Sequence, residues 1–401
     1  MTQFANRLTG MEKSATIVRN LFNSMNDPEV ISFGGGAPAK DALPIEQVNV
    51  IVNEIMHKNA RGIEALQYGG IMGIMGFRRI IAEMLLAPIG VEARAENIMV
   101  VNGGLETMNL LCQVIINPGD VILVESPTFV HGIEIFEMFG ARCIACDMDN
   151  DGVIVEDVET KIKKYAPKIV YTIPTFHNPT GRTLSLERRK ELAELGSKYD
   201  VIILEDDPYR EIRYSGEPLA PIKSFDKTGH TVFANSFSKI FSPGSRIGYV
   251  LANDDIMKHL FDAKTATNSH TSTFVQVVAE EFLKRGYYPE HIKMVRDLYR
   301  NRRDVMIECI NKFFPQGTKH TYPDGGLFVW AELPNNINAT ELLAEAVKDY
   351  KVAYVAGEGF FCEGNGKGSN CMRLSFGSVE PEKINTGMER LGRLVSAKVI
   401  D

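Results

Sequence analysis

The middle of the chain alternates short apolar runs with longer amphipathic segments. Six runs, rich in β-branched and other apolar residues, are typical of strands buried on both faces: 121–125, 144–148, 169–173, 201–205, 231–234 and 247–251. Between two of them, residues 185–199 place Leu186, Leu192, Leu195 and Tyr199 roughly on one helical face. A second helix is predicted at 104–116. This alternation predicts an α/β domain with a largely parallel sheet.

The C-terminal part of the chain has a different pattern. Residues 294–314 predict a long charged helix, and we expect its arginines, Arg296, Arg300, Arg302 and Arg303, to lie mostly on solvent-facing sides. Strand-like segments follow at 325–333 and 372–376, with helix-like segments at 341–350 and 379–395. We therefore expect a large domain at 49–291 and a smaller α+β domain at 292–401. An N-terminal segment, 1–48, is expected to join the smaller domain and the active site.

Composition narrows the class of protein. The 401 residues are 44% hydrophobic and 24% charged, as in globular proteins, and the net charge of −7 disfavours nonspecific nucleic-acid binding. No apolar run approaches the length of a membrane span, and residues 1–10 lack the apolar core of a secretory signal. The lone pair Cys143 and Cys146 is interpreted as buried or partly buried free thiols, not as a metal site. We expect a soluble, cytoplasmic protein without metal.

Residues 235–249 carry the first candidate chemistry. Ser236 and Ser238 alternate with a phenylalanine, Lys239 follows directly, and Arg246 comes seven residues later. Hydroxyl groups and a guanidinium suit a phosphate, and a lysine beside them can form a Schiff base with a carbonyl compound. A small molecule that carries both a carbonyl group and a phosphate suggests pyridoxal phosphate. From this segment alone, a surface loop rich in Ser, Lys and Arg remains the alternative.

Three further polar residues follow predicted strands. Asn178 comes after the strand at 169–173, and Asp206 and Tyr209 come after the strand at 201–205. Ligand groups in open α/β sheets gather at the carboxyl ends of the strands, so we expect these residues to lie near Lys239.

With these motifs in order, the chain resembles the pyridoxal-phosphate-dependent aminotransferases of fold type I, classes I and II. It is most similar to the 2-aminoadipate and kynurenine aminotransferases and to the catalytic domains of MocR-like regulators. The matching stretches are 31–38, 66–69, 117–120, 125–129, 178–181, 236–249, 325–330 and 373–376. The resemblance implies the α/β fold of the fold type I transferases, with a mostly parallel seven-stranded sheet and a smaller α+β domain.

The resemblance also implies roles around the cofactor ring. Lys239 is expected to bind pyridoxal phosphate covalently and then to move the substrate α-proton. Asp206 is expected to pair with the pyridine nitrogen, with its neighbour Asp207 as the competing choice. Asn178 and Tyr209 are expected to bind the ring 3′-oxygen, and Lys239, Asp206 and Tyr209 are the predicted catalytic residues.

For the phosphate, the resemblance implies Ser236, Ser238, Arg246 and the backbone N–H groups of Gly104 and Leu105 at a helix N-terminus. The family often has Ser-Gln at this last position, so here only the backbone contacts are expected. Tyr68 is expected to reach the phosphate of a neighbouring subunit, which implies a homodimer with shared active sites. Phe129 is expected to stack on the ring where the family usually has tyrosine or tryptophan.

On the substrate side, Arg373 is expected to bind the α-carboxylate, together with Asn178. Gly35 and Gly36 are expected to let the N-terminal segment approach the substrate. Arg19 matches an arginine that meets the distal carboxylate of glutamate or 2-aminoadipate in relatives, and Thr16 matches a hydroxyl in the same segment. A solvated helix arginine is the equal alternative for Arg19.

The resemblance predicts an aminotransferase that works by a ping-pong mechanism. It would transfer the α-amino group between an L-amino acid and a 2-oxo acid, with 2-oxoglutarate as the expected acceptor. Glutamate, 2-aminoadipate and aromatic or large aliphatic amino acids are the expected donors. The alternatives are a C–S lyase or decarboxylase on the same fold and, more remotely, a noncatalytic cofactor-sensing module. The sensing module is disfavoured because the segment before Phe33 is too short for a DNA-binding domain.

Overall fold

An eight-stranded sheet forms the centre of the larger part of the molecule in the computed structural model, which describes Ala5, Arg7 and residues 27–57, 61–334 and 336–399. In order across the sheet the strands are β2 (Ile98–Val101), β9 (Gly248–Leu251), β8 (Thr231–Ser236), β7 (Ile202–Asp206), β6 (Ile169–Thr172), β3 (Val121–Ser126), β4 (Arg142–Asp149) and β5 (Gly152–Val153). Strands β8, β7, β6, β3 and β4 pair in parallel, whereas β9 is antiparallel to both of its neighbours. The predicted α/β fold with a mostly parallel sheet is confirmed.

The eighth strand is a small addition to the expected seven. Strand β5 is two residues long and folds back against the end of β4. A two-residue strand carries no periodic pattern, so sequence reasoning does not detect it. Sequence reasoning also did not single out the four apolar residues of β2, although all four are buried.

Both faces of the sheet are covered. Alternate residues of one strand belong to different hydrophobic clusters: in β6, Ile169 and Tyr171 pack on one side and Val170 on the other. The helices are α1 (Ile45–Ile55), α2 (Gly62–Leu66), α3 (Met75–Ile80), α4 (Gly104–Ile115), α5 (Val130–Met138), α6 (Val155–Tyr165), α7 (Leu186–Tyr199), α8 (Asp254–Thr267), α9 (Thr273–Lys284), α10 (Tyr287–Phe313), α11 (Ala339–Lys348) and α12 (Pro381–Ser396). Short 3₁₀ turns lie at Lys40–Ala42, Ala87–Ile89, Ala95–Asn97, Ile222–Phe225, Pro243–Ser245 and Gly357–Phe360, and a π-helical turn lies at Ile81–Leu86.

The two helices predicted in the middle of the chain are present. Helix α7 is capped by Ser185, whose hydroxyl accepts the N–H of Arg188 at 3.4 Å. Helix α4 follows β2 through Gly103, which has a φ of 83°. That left-handed conformation favours glycine and turns the chain sharply at the end of β2.

Two arginines of helix α10 do not lie where the sequence pattern predicted. Arg302 and Arg303 are buried, so the prediction that they face solvent was wrong. Arg302 donates to the carbonyl of Gly377 and to Glu380, each at 2.7 Å, and Arg303 donates to the carbonyl of Pro323 at 2.6 Å. Long-range carbonyl and carboxylate acceptors make the burial of these charges tolerable, and the local pattern of the helix does not reveal such partners.

A smaller antiparallel sheet lies in the C-terminal part. Its order is β10 (Lys319–His320), β11 (Phe328–Glu332), β14 (Cys371–Ser375) and β13 (Val355–Ala356). The N-terminal segment joins it, because β1 (Ile31–Ser32) pairs in parallel with β12 (Val352–Ala353) and the carbonyl of Phe33 accepts the N–H of Ser375 at 2.8 Å. We propose on this basis the division into 1–48, 49–291 and 292–401.

Two other sequence expectations concern cysteines and membrane spans. All six cysteines are free, with Cys146 buried and Cys143 half-buried. Within the described ranges, no helix is both long and apolar enough to cross a membrane.

Candidate active site

The site is built on the carboxyl ends of three neighbouring parallel strands. Asn178 follows β6, Asp206 is the last residue of β7, and Ser236 is the last residue of β8, with Lys239 three residues later. Because β6, β7 and β8 pair in parallel, their carboxyl ends meet at one edge of the sheet.

Lys239 is held against the N-terminal segment. Its ammonium group donates to the carbonyl of Gly36 at 2.7 Å and lies 6.0 Å from the centre of the Tyr209 ring. Burial lowers the pKa of Lys239 to about 8, and the positive charges of Arg373 and Arg246 contribute to this lowering. A substantial neutral fraction therefore exists near pH 8, as a nucleophilic or proton-moving amine requires.

Asp206 is buried, and its hydrogen-bond partner is an uncharged side chain. The hydroxyl of Tyr171 donates to Asp206 Oδ2 at 3.0 Å. Burial raises the pKa of Asp206 to about 7; the Tyr171 hydrogen bond opposes this rise, whereas the charges of Asp207 and Glu125 add to it. No cationic side chain from the described part of the chain bonds to this carboxyl group. A ligand cation at that position would favour the carboxylate form.

Arg373 is fixed on several sides. Its Nη1 donates to Asn178 Oδ1 at 2.9 Å and its Nη2 donates to the carbonyl of Gly34 at 2.6 Å. The guanidinium lies over the rings of Phe328 and Phe360, at 4.4 and 5.2 Å from their centres. Burial lowers its pKa to about 10, so the group keeps its charge at neutral pH. The buried Nε has no hydrogen-bond partner among the described residues.

Tyr209 contacts Asn178 and Phe328, which are both neighbours of Arg373. It forms a side-chain hydrogen bond with Asn178, and its ring packs edge-on against Phe328 at 5.7 Å between centres. Burial raises the pKa of its hydroxyl above the ordinary value, whereas the charge of Arg373 and the Asn178 hydrogen bond lower it. The neutral phenol is therefore the form present in the working pH range.

A second group of residues surrounds the N-terminus of α4. Ser236 Oγ donates to Ser238 Oγ at 2.9 Å, and Arg246 Nη2 donates to the carbonyl of Asn102 at 3.4 Å. A Cβ atom at Gly103 would lie 2.6 Å from Arg246 Nη2, so a larger residue there would displace the guanidinium. Gly104 and Leu105 are the first two residues of the helix, and their N–H groups lie in its unpaired first turn.

Four other predicted residues have the following surroundings. Gly36 is tightly placed, because an added Cβ would come within 3.1 Å of the Phe328 ring, and Gly35 lies between Gly34 and Gly36. Phe129 caps α5 and packs edge-on against His131. Tyr68 is 87% exposed, and within this chain it contacts His270. Thr16 and Arg19 lie outside the described residues.

Sequence reasoning assigned no site role to Tyr171, Phe328, Phe360 or the carbonyl of Gly34. Tyr171 carried a usable signal, because a tyrosine inside a fully buried strand must find a partner for its hydroxyl. Phe360 carried none, because it comes from a 3₁₀ turn far along the chain from the other site residues.

Comparison with known proteins identifies the family of the chain. Residues 28–391 match the family described as aminotransferase class I and II. The chain belongs to this family. It is 39% identical to an aromatic-amino-acid aminotransferase of Thermococcus litoralis over 99% of this chain and 94% of that protein.

Two solved structures are similar over almost the whole chain. A kynurenine aminotransferase of Pyrococcus horikoshii, solved in complex with PMP, has a TM-score of 0.93 and 37% identity, covering 99% of this chain and 98% of that one. An α-aminoadipate aminotransferase of Thermus thermophilus, complexed with N-(5′-phosphopyridoxyl)-L-leucine, has a TM-score of 0.89 and 29% identity, covering 98% and 97%. The protein is an amino-acid aminotransferase with pyridoxal phosphate as its cofactor.

Proposed function

We propose that this aminotransferase passes the α-amino group of an L-amino acid to 2-oxoglutarate in two successive half-reactions, using the site centred on Lys239. The observation that carries the proposal is the shared location of three groups: a lysine with a lowered pKa, a buried carboxyl group bonded to the neutral hydroxyl of Tyr171, and a fixed guanidinium. In transamination the lysine would bind the cofactor and move the α-proton, and the carboxyl group would pair with the ring nitrogen. The guanidinium would bind the substrate carboxylate.

The residues present fit pyridoxal phosphate. Asp206 supplies a carboxyl group for the ring nitrogen, and Asn178 and Tyr209 supply polar groups for the ring oxygen. Ser236, Ser238, Arg246 and the N–H groups of Gly104 and Leu105 would hold the phosphate, with Phe129 against the ring. When bound, the cofactor supplies a carbonyl carbon that carries the amino group and a ring that accepts electrons from the substrate α-carbon.

Lys239 then has two tasks in the proposed reaction. Its neutral amine would hold the cofactor covalently, and its Nζ would remove and return the proton at the substrate α-carbon. The pKa near 8 makes both protonation states accessible close to neutral pH, which suits an acid–base group. Tyr209 and the Gly36 carbonyl keep the amine near the reacting atoms.

Arg373 is proposed to bind the substrate α-carboxylate. The Phe328 and Phe360 rings and the Asn178 and Gly34 oxygens fix the plane of the guanidinium before any substrate arrives. Such a fixed guanidinium would hold the carboxylate in one orientation and stabilise its negative charge.

The donor set is proposed from the aromatic surroundings of Arg373. Phe328 and Phe360, which lie on the Arg373 guanidinium, suit an aromatic or large aliphatic side chain, and relatives named for aromatic amino acids and kynurenine support such donors. The relative named for α-aminoadipate supports a dicarboxylic donor. Recognition of a distal carboxylate by Arg19 and Thr16 stays a prediction, since both residues lie outside the described part.

We further propose a homodimer in which Tyr68 completes the phosphate site of the other subunit. Tyr68, Ile63 and Leu66 are 87%, 84% and 69% exposed, which is unusual for large apolar side chains clustered in one stretch of chain. A second copy covering this stretch would bury them. We also propose that the protein is cytoplasmic.

The proposal is tested by the absorbance of the purified protein during each half-reaction. Addition of L-phenylalanine, L-kynurenine, L-2-aminoadipate or L-glutamate is expected to replace a visible band with a near-ultraviolet band. Addition of 2-oxoglutarate should restore the visible band. Lys239→Ala is the matched control, which should bind the cofactor noncovalently without this exchange.

Three results would contradict the proposal. The absence of a visible band after pyridoxal phosphate is supplied would reject the assigned site. Release of carbon dioxide, or of ammonia with a thiol, would favour the decarboxylase or the lyase instead. A monomer at working concentration would reject the shared site.

A further inference from the structure

A buried ion pair lies behind the N-terminus of α4, outside the residues discussed so far. Glu106, in the first turn of this helix, is bonded to Lys264 of α8 at 2.9 Å. The Lys264 side chain is 0% exposed and that of Glu106 is 8% exposed. Lys264 also donates to Asn268 Oδ1 at 3.1 Å, and Asn268 donates to the other oxygen of Glu106.

The same carboxylate holds the loop that enters the helix. Glu106 accepts the backbone N–H of Asn102 and, at 3.3 Å, the side-chain amide of Asn102. The carbonyl of Asn102 in turn accepts Arg246 Nη2 at 3.4 Å. A continuous series of bonds therefore runs from Lys264 through Glu106 and Asn102 to Arg246.

The charge of Glu106 would by itself oppose anion binding at this helix end. A carboxylate in the first turn stabilises the helix, but it repels a second anion that binds to the same N–H groups. Lys264 cancels that charge at hydrogen-bond distance. The compensation matters here, because at this helix end Gly104 and Leu105 would offer the phosphate only their backbone N–H groups, beside Ser236, Ser238 and Arg246.

We propose that Lys264 is a positioning residue for the cofactor phosphate: it neutralises Glu106 and, through Asn102, holds the helix N-terminus and Arg246 in place. The inference rests on the proposed function only in taking the N-terminus of α4 as the phosphate site. Lys264 is not proposed to contact the cofactor or the substrate.

The test measures how tightly the apoprotein binds pyridoxal phosphate, by titration, together with the ³¹P NMR shift of the bound phosphate and the melting temperature of the apoprotein. Lys264→Met leaves an uncompensated carboxylate and is expected to weaken binding about tenfold or more and to move the ³¹P resonance. Adding Glu106→Gln to Lys264→Met removes the charge and keeps one oxygen that can accept the backbone N–H of Asn102. The double variant should therefore recover to within about threefold of the wild type.

Two further variants serve as controls. Arg246→Met weakens binding directly and marks the phosphate site. Lys223→Met removes the largely buried partner of Asp226 elsewhere in the fold, and it should lower the melting temperature without changing the cofactor affinity or the ³¹P shift. If Lys264→Met does not fold, Lys264→Gln is measured in its place, with the same expectation.

The possible outcomes separate the two proposals. Unchanged affinity and ³¹P shift in Lys264→Met or Lys264→Gln, with weaker binding in Arg246→Met, would overturn the inference and leave the proposed function intact. Failure of the double variant to recover would overturn the charge argument. Equal binding by the wild type and Arg246→Met would reject the phosphate site and, with it, both proposals.

Discussion

Two adjacent carboxyl groups, Asp206 and Asp207, are both buried at the end of β7, yet their surroundings differ. Asp207 forms an ion pair with the buried guanidinium of Arg210. Asp206 points to the other face of the strand, where its partner is the neutral hydroxyl of Tyr171. The charge of Asp207 is therefore neutralised within the fold, whereas Asp206, with a neutral partner, is available to a charged ligand.

Neutralising each carboxyl group in turn should have different effects on activity and stability. Asp206→Asn should lower the rate of the amino-transfer half-reaction by about 10³-fold, because the ring nitrogen loses its charged partner. Asp207→Asn should instead destabilise the fold by about 3–5 kcal/mol, because Arg210 is left buried without a counterion. Stopped-flow absorbance and chemical unfolding measure the two effects.

The reverse pattern would refute the assignment of Asp206 over Asp207. A folded Asp207→Asn enzyme that cannot exchange amino groups, beside an active Asp206→Asn enzyme, would make Asp207 the partner of the ring nitrogen.

The second prediction concerns the stability of the apoprotein. The pKa of Asp206 rises from an unfolded value of 3.8 to about 7, so the folded state binds a proton that the unfolded state releases between these pH values. This group therefore lowers the free energy of unfolding as pH rises from about 4 to about 7, by as much as about 4 kcal/mol. Asp206→Asn should be more stable than the wild-type apoprotein at pH 8, with the difference vanishing near pH 4. Urea unfolding at both pH values checks this, and equal stability at pH 8 would contradict it.

The third prediction separates the charge of Arg373 from its shape. Arg373→Met should reduce kcat/KM for the amino donor about 100-fold, through loss of the carboxylate contact. It should also raise the pKa of Lys239, because one of the positive charges that lower it is gone. Arg373→Lys keeps the charge but not the planar fork, and it is the matched control.

The readout is the pH dependence of cofactor uptake by the apoprotein. In the wild type this rate should rise with pH through about 8, as Lys239 becomes neutral. The midpoint should move upward in Arg373→Met and stay near its wild-type position in Arg373→Lys. An unmoved midpoint in Arg373→Met would mean that the charge of Arg373 does not contribute to the lowered pKa of Lys239.

The smallest effect is expected at Tyr171. Tyr171→Phe removes the hydrogen bond that opposes the raised pKa of Asp206 and should slow the half-reaction about tenfold, with little change in KM. Its spectral signature is a shift in the pH titration of the bound cofactor, which a purely structural role would leave unchanged. Phe136→Leu, at the ring that packs against Tyr171, is the packing control.

The contrast between Asp206 and Asp207 also marks the limits of sequence reasoning. Apolar runs predicted β3, β4, β6, β7 and β8, and the ends of these strands brought Asn178, Asp206 and Lys239 to one edge. The choice between Asp206 and Asp207 came from the resemblance, because alternation alone does not say which face holds Arg210.

Other features depend on contacts distant in the sequence. The stacking of Phe360 on Arg373, the carbonyl acceptors of Arg302 and Arg303, and the Lys264 pair all join residues that no local pattern connects. The predicted role of Tyr68 depends on contacts with a second subunit, which lie outside a single chain.

The most direct test of the account is to locate the covalent link to the cofactor. The holoprotein is reduced with borohydride, digested, and examined by mass spectrometry. We expect a phosphopyridoxyl group on Lys239 and an unmodified Lys264. A label on another lysine, with Lys239 unmodified, would contradict the assignment of the site.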